Sequence, residues 1–175
     1  MDETGLFYRY GLSFRALSFI VQFACRLEPD RTLATKRISG RKQNRERLSI
    51  ALCASADGLH KLDPLVIGKF AKPRCFKNVH LGNLPITYNS NGKAWMITTV
   101  FQEWIRDFDR KVGQRHGGQR VLLLLDNCSS HKLNGLDLQH VDVHFLPPNT
   151  TSKIQPMDAG IIMSFKRHYR RYHIQ

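Results

Sequence analysis

Two aspartates stand where an α/β protein can use a carboxylate. Val121 to Leu125, VLLLL, is an unbroken apolar run of strand length, the pattern of a central strand covered on both faces. Asp126 follows at its C-terminal end, the edge where open α/β sheets place their chemistry. A helix N-cap or a turn is the plainer use of a lone Asp after a strand, and the sequence leaves both open. The second carboxylate, Asp158, follows the extended segment LPPNTTSKIQP, and Pro156 marks a helix start. Asp158 is therefore expected in the first turn of a helix, where the dipole favours the ionised form.

The elements needed to position these acids are legible around them. Phe101, Trp104, Ile105, Phe108 and Val112 fall at helical spacing, which predicts an amphipathic helix ending near Gly113, with Thr99 and Gln102 in the form of a capping box. Trp104 and Phe108 lie on its apolar stripe and read as core. Val141 to Phe145 is a second strand, and Leu48 to Ala54 with Leu62 to Ile67 reads as a hairpin turning at Asp57-Gly58. Residues 68 to 93 read as loop with one short strand around Pro85 to Tyr88. Ile161, Ile162, Phe165, Tyr169 and Tyr172 form a last helical stripe.

The chain has 175 residues, 42% of them hydrophobic, enough for one sizeable core. A net charge of +13 and a pI near 10.0 attract polyanions, with nucleic acid the leading partner. The candidate phosphate contacts are Arg37, Arg41, Lys42, Arg45 and Arg47 in the basic tract from Arg31, and Lys166, Arg167, Arg170 and Arg171 on the last helix. A membrane is not expected to be the partner, because the apolar stretch Ala16 to Cys25 is too short to span a bilayer and follows no basic start. Cys25, Cys53, Cys75 and Cys128 form no CxxC pair, so mostly buried, reduced thiols in an intracellular protein are expected.

The motifs resemble the DDE endonuclease domain of the pogo and Tigger transposases, shared by jerky-like proteins and centromere protein B. They are DETGLFYR at 2 to 9, PDRTLATKRISGRK at 29 to 42, LLLLDNCSSH at 122 to 131 and FLPPNTTSKIQPMDAGIIMSFK at 145 to 166, with KLDPLVIGK and KPRCFKNV between. The resemblance implies an α/β, ribonuclease-H-like mixed sheet flanked by helices, with acids from the first strand, a later strand and a following helix. Carried over, these are Asp2, Asp126 and Asp158, the catalytic residues and ligands of two Mg2+ or Mn2+ ions. Asn127 and His131 are candidates for orienting substrate phosphate or water near the metals, although His131 fits a loop residue equally well. Implied with them are DNA as partner and a nuclear location.

Two departures from the family pattern shape the functional expectation. Met1 stands directly before Asp2, and YGLSFRALSFIVQFAC, residues 10–25, separates FYR from the LPDRTLA block. The first strand is accordingly expected to be truncated, residues 10–25 to be a dispensable insertion, and helix-turn-helix modules to be absent from residues 1–175. A nucleic-acid-binding, transposase-derived domain with little cleavage is the leading reading. The alternatives are an active magnesium-dependent transposase or endonuclease, and a basic structural protein associated with nucleic acid.

Overall fold

The computed structural model describes residues 18–25, 48–148, 155 and 157–173; for residues 18–25, 158, 159, 170, 172 and 173 it describes the backbone. Six strands form one sheet: β1 (Ser18–Cys25), β2 (Ser49–Ser55), β3 (Leu65–Gly68), β4 (Thr87–Ser90), β5 (Val121–Leu125) and β6 (Val141–Phe145), in the order β4-β3-β2-β1-β5-β6. β1, β2 and β3 are antiparallel neighbours, while β5 runs parallel to β1 and β6 parallel to β5. This is the mixed sheet of the ribonuclease-H-like fold, with β4 added parallel to β3 at one edge.

The segment expected to be a dispensable insertion supplies the strand between β2 and β5. Phe19 pairs with Ser55 and Cys25 with Ser49 on one side, and Ser18 with Leu122 through Ile20 with Leu124 on the other. A strand thus stands at Ser18–Cys25 inside the sheet, while the strand expected to lead into Asp2 lies outside the described residues. The physical reason lies in its composition: SFIVQFAC is apolar and rich in β-branched and aromatic residues, the kind of run that suits a strand flanked on both edges.

The hairpin of β2 and β3 turns where Asp57-Gly58 predicts. Gly58 has φ of +70°, a value that favours glycine, and its amide donates to Ser55 O at 2.9 Å. β4 lies two residues later than the strand expected at Pro85 to Tyr88.

Helix α1 (Thr98–Arg115) covers one face of the sheet. Val100, Phe101, Ile105, Phe108 and Val112 are buried with Val121, Leu123 and Leu125 of β5 and with Ala51, Cys53, Leu65 and Ile67. Each such side chain contributes about 1.5–3 kcal/mol on full burial. Trp104 stacks on Phe108 with ring centroids 5.4 Å apart, as core placement predicts. The capping box is not formed: Ile97 is the N-cap and makes no side-chain cap bond, and Gln102 Nε2 instead donates to Lys132 O at 3.2 Å. At the far end His116 N donates to Val112 O, and Gly117 and Gly118 at positive φ end the helix.

The other face is covered by the segment that carries Asp158. Met157 and Ile162 are buried against Leu52, Ala54 and Leu124. Alternation along β5 thus sends Leu123 and Leu125 to α1 and Leu124 to this second cluster. Here the helix start expected at Pro156 and Asp158 is met in part, because a kink follows it at Gly160. Met157–Ile161 forms an irregular, wide turn in which Gly160 is non-helical, and helix α2 (Ile162–His173) begins only after it. Asp158 therefore lies ahead of α2 rather than in its first turn. Ile161, expected on the buried stripe, is 49% exposed, whereas Ile162 is buried.

Candidate catalytic edge of the sheet

Asp126 leaves β5 at its C-terminal end and is fixed chiefly through its main chain. Leu146 N, leaving β6, donates to Leu125 O at 2.7 Å, and Cys128 N donates to Asp126 O at 2.9 Å. The Asp126 carbonyl also lies 3.2 Å from His131 Nδ1. Because a carbonyl only accepts, that nitrogen carries the proton. His131 N closes the turn on Cys128 O at 3.0 Å.

His131 stands in the loop after β5, and its side chain is nevertheless buried. Its side chain is 0% exposed, against 26% for Asp126, and its ring packs on Phe101 of α1 at 4.7 Å. The chain of support therefore runs from the apolar face of α1 through an imidazole to the backbone of the carboxylate. Gln102 adds to it by holding the segment just beyond His131. Asn127 is exposed beside Asp126. Cys128 and Cys75 are exposed and only Cys53 is buried, so of the three thiols described as free most are not buried as expected. Burial pushes the Cys53 thiol up, which keeps it protonated and inert. The Cys128 Sγ sits 3.2 Å from Ser130 Oγ at the rim of the turn.

The Asp126 carboxylate suits a cation. Its Oδ1 is buried and takes part in no hydrogen bond. The nearest charge-bearing neighbour is His131 Nδ1 at 3.0 Å, whose hydrogen bond goes to the main-chain carbonyl instead. A buried anionic oxygen with lone pairs to spare is what a hard metal ion satisfies.

The register shows what stands level with Asp126. Extending the Ile20–Leu124 pairing by two residues sets Gln22 of β1 beside Asp126, and extending Leu125–Phe145 by one sets Leu146 on the other side. Neither is an acid, and β1 as a whole, SFIVQFAC, contains no Asp or Glu. The Asp158 turn contacts β1 and packs by Met157 over Leu124, two residues before Asp126. Its backbone is thus on the sheet near the same edge. Among the described residues no three His, Cys, Asp or Glu side chains converge as a metal site.

Of the other predicted site residues, Asp2, Arg37, Arg41, Lys42, Arg45 and Arg47 lie outside the described residues. Lys166 is half-buried and Arg167 and Arg171 are exposed on α2, which Arg170 also belongs to. No helix among the described residues is long and apolar enough to cross a membrane.

The described residues thus form a mixed α/β sheet with an aspartate at the C-terminal edge of a central strand, backed by a helix on each face. Residues 45–175 match the family described as DDE superfamily endonuclease. The chain is 34% identical over 177 residues to the Jerky protein homolog of Homo sapiens, covering 96% of this chain and 28% of that protein. It is 37% identical over 158 residues to Tigger transposable element-derived protein 7 of Homo sapiens, covering 81% of this chain and 28% of that protein. Among solved structures, the Mos1 transposase paired-end complex with left transposon end is similar with a TM-score of 0.49 and 13% identity, over 89% of this chain and 43% of that one. The chain belongs to the DDE superfamily endonucleases, in the pogo/Tigger group. It spans about 28% of the length of the two relatives.

Proposed function

We propose that this chain is a DNA-binding, transposase-derived DDE domain in which metal-dependent cleavage is weak or lost. The observation that carries this reading is the strand beside Asp126: β1 offers Gln22, a neutral amide, at the level where a second carboxylate would help hold two cations. Asp126 and Asp158 would hold a single Mg2+ or Mn2+, and Asp2 would add little. Such a cation, when bound, supplies a Lewis acid for water or a 3′-hydroxyl. The chain's own part is to present Asp126 at the sheet edge, with His131 fixing its backbone and exposed Asn127 beside it. With Asp2 contributing little, the tolerance that in-line attack on a phosphodiester requires would not be met.

The net charge of +13 supports the DNA-binding half of the proposal. Arg37, Arg41, Lys42, Arg45, Arg47, Lys166, Arg167, Arg170 and Arg171 are the proposed phosphate contacts, and the nucleus the proposed location. Phosphate contacts carry little base information, so little sequence preference is expected. The alternative, an active magnesium-dependent endonuclease and strand-transferase, draws its support from the buried Oδ1 of Asp126, which suits a metal ion.

One pair of assays separates the two readings. Fluorescence anisotropy against a random-sequence duplex should show binding that weakens steeply as salt rises, and plasmid nicking with magnesium should stay near background. Efficient nicking by the unmodified chain, abolished by Asp126→Asn and by Asp2→Asn, would establish the active reading instead.

A further inference from the structure

β3, β4 and β5 all point the same way, because β1 is parallel to β5, β2 is antiparallel to both β1 and β3, and β4 is parallel to β3. The segments leaving β3 and β4 therefore rise from the same edge of the sheet as Asp126. These segments are basic. Residues 64 to 102 contain Lys69, Lys72, Arg74, Lys77 and Lys93 and no Asp or Glu. All five cations are exposed. Beside them stand two exposed aromatic side chains, Phe70 at 53% and Trp95 at 49%. Lys69 Nζ lies 5.3 Å from the centre of the Phe70 ring, so charge and ring are presented together.

Both segments are shaped in advance. Tyr88 Oη donates to Phe70 O at 2.6 Å, and its ring meets Phe76 edge-on at 5.1 Å. Burial, with Cys75 nearby, pushes the Tyr88 phenol above its ordinary value, which keeps the hydroxyl a donor. Gly68 permits this arrangement, since a Cβ there would fall 2.3 Å from the Tyr88 hydroxyl oxygen. In the second segment Asn91 accepts from Lys93 N and Trp95 N, both at 3.2 Å, and donates to Trp95 O at 2.6 Å. Glu103, the first acid after this stretch, accepts from Asn89.

Register sets the spacing from Asp126. Gln22 pairs with Leu52, and Ala51 with Leu65, so Pro64 stands level with Asp126 three strands away and Gly68 four residues further out. That is roughly 14 Å across the sheet and roughly 13 Å along it, about 20 Å in all. With roughly 3.4 Å of axis per base pair, the span corresponds to about six base pairs.

We propose that the Lys69–Lys77 segment, with Lys93 beside it, is a DNA-contact surface that grips phosphates about six base pairs from the point where Asp126 meets the backbone. A cationic, acid-free rim preorganised by Tyr88 and Asn91 binds without ordering cost, and Phe70 can stack on a base where the duplex end is frayed. The inference rests on the DNA-binding reading above.

Its test compares three forms of the full chain by anisotropy with a random-sequence duplex between about 50 and 200 mM salt, the range over which phosphate contacts are lost. The K69Q/K72Q/R74Q/K77Q variant should flatten the slope of log affinity against log salt by about 3.6, since each of the four phosphate contacts contributes about 0.9. The R106Q/R110Q/K111Q/R115Q variant removes the same charge from exposed positions of α1, which runs away from this edge, and should leave the slope near wild type. Equal melting temperatures confirm folding, and exposed Lys72→Glu alone gives a second reading of the same surface. A loop variant with the wild-type slope, or equal flattening in both variants, overturns the inference while leaving DNA binding intact. A wild-type chain with no salt-dependent binding overturns the DNA-binding reading itself.

Discussion

The two faces of the sheet are built to different standards. Under α1 the packing is continuous, from Ala51 and Leu65 through Phe101, Ile105 and Phe108 to Leu123, Leu125 and Val141, and it extends through the Phe101 ring to His131 and the backbone of Asp126. On the other face the buried cluster comprises Met157 and Ile162 over Leu52, Ala54 and Leu124. The first face sets one carboxylate rigidly through a core histidine. The second delivers Asp158 on an irregular turn with few apolar anchors. A site assembled from both inherits the precision of the weaker one.

That contrast is broken most directly by removing one anchor from each face. Phe101→Ala should cost about 4 kcal/mol, the upper range for a fully buried aromatic, because it opens the α1 core and withdraws the support of His131. Ile162→Ala should cost about 2 kcal/mol, since a small cluster near the surface can collapse. Urea unfolding measures both, and equal losses would show that the faces are not different in kind.

His131→Ala is next in size, at about 2 kcal/mol. It leaves a cavity beside Phe101 and frees the Asp126 carbonyl of one of its two donors. A structural role alone would stop there. If His131 positions Asp126, manganese affinity measured by calorimetry should fall together with stability in this variant and stay unchanged in Ile162→Ala.

The contrast also explains what the sequence made legible. β5, β6, α1 and the β2–β3 hairpin could be read because each carries its own period, and one face of each is committed to the dense core. The Asp158 turn could not, since the non-helical backbone at Gly160 interrupts a pattern that otherwise continues through Ile162. β1 was hidden differently: Ser18–Cys25 has a strand's composition, but it lies where the family motifs break, and its pairing partners are up to about a hundred residues away in sequence. The burial of His131 follows from the fold of one tight turn, which composition does not encode. What it did encode was the carboxylate, because VLLLL followed by Asp is a strand and its edge.

A gain-of-function change on β1 sharpens the same comparison. Gln22→Asp adds a carboxylate level with Asp126 on β1, so manganese affinity should rise roughly tenfold, as added ligand charge tightens cation sites. The readout is calorimetric and needs no cleavage. No change in affinity would show that the register position is not at the cation.

The smallest effect is expected at the opposite edge of the sheet, where β5 and β6 begin. Arg120 meets the Asp142 carboxylate with two nitrogens, Nε to Oδ2 at 3.0 Å and a second bond to Oδ1. The fork geometry is favourable. Both side chains are about half exposed, however, at 46% and 53%, so water competes for each group and dissolved ions screen the pair. Asp142→Asn should therefore cost about 0.5 kcal/mol in low salt and nothing measurable near 1 M. Manganese affinity should not move, because the pair lies a full strand length from Asp126 and touches neither His131 nor the Asp158 turn. A loss above about 2 kcal/mol would mean that the two parallel strands depend on this clamp. The rigidity of Asp126 would then come from the far edge of the sheet as much as from the core under α1, and the distinction between the two faces would need redrawing.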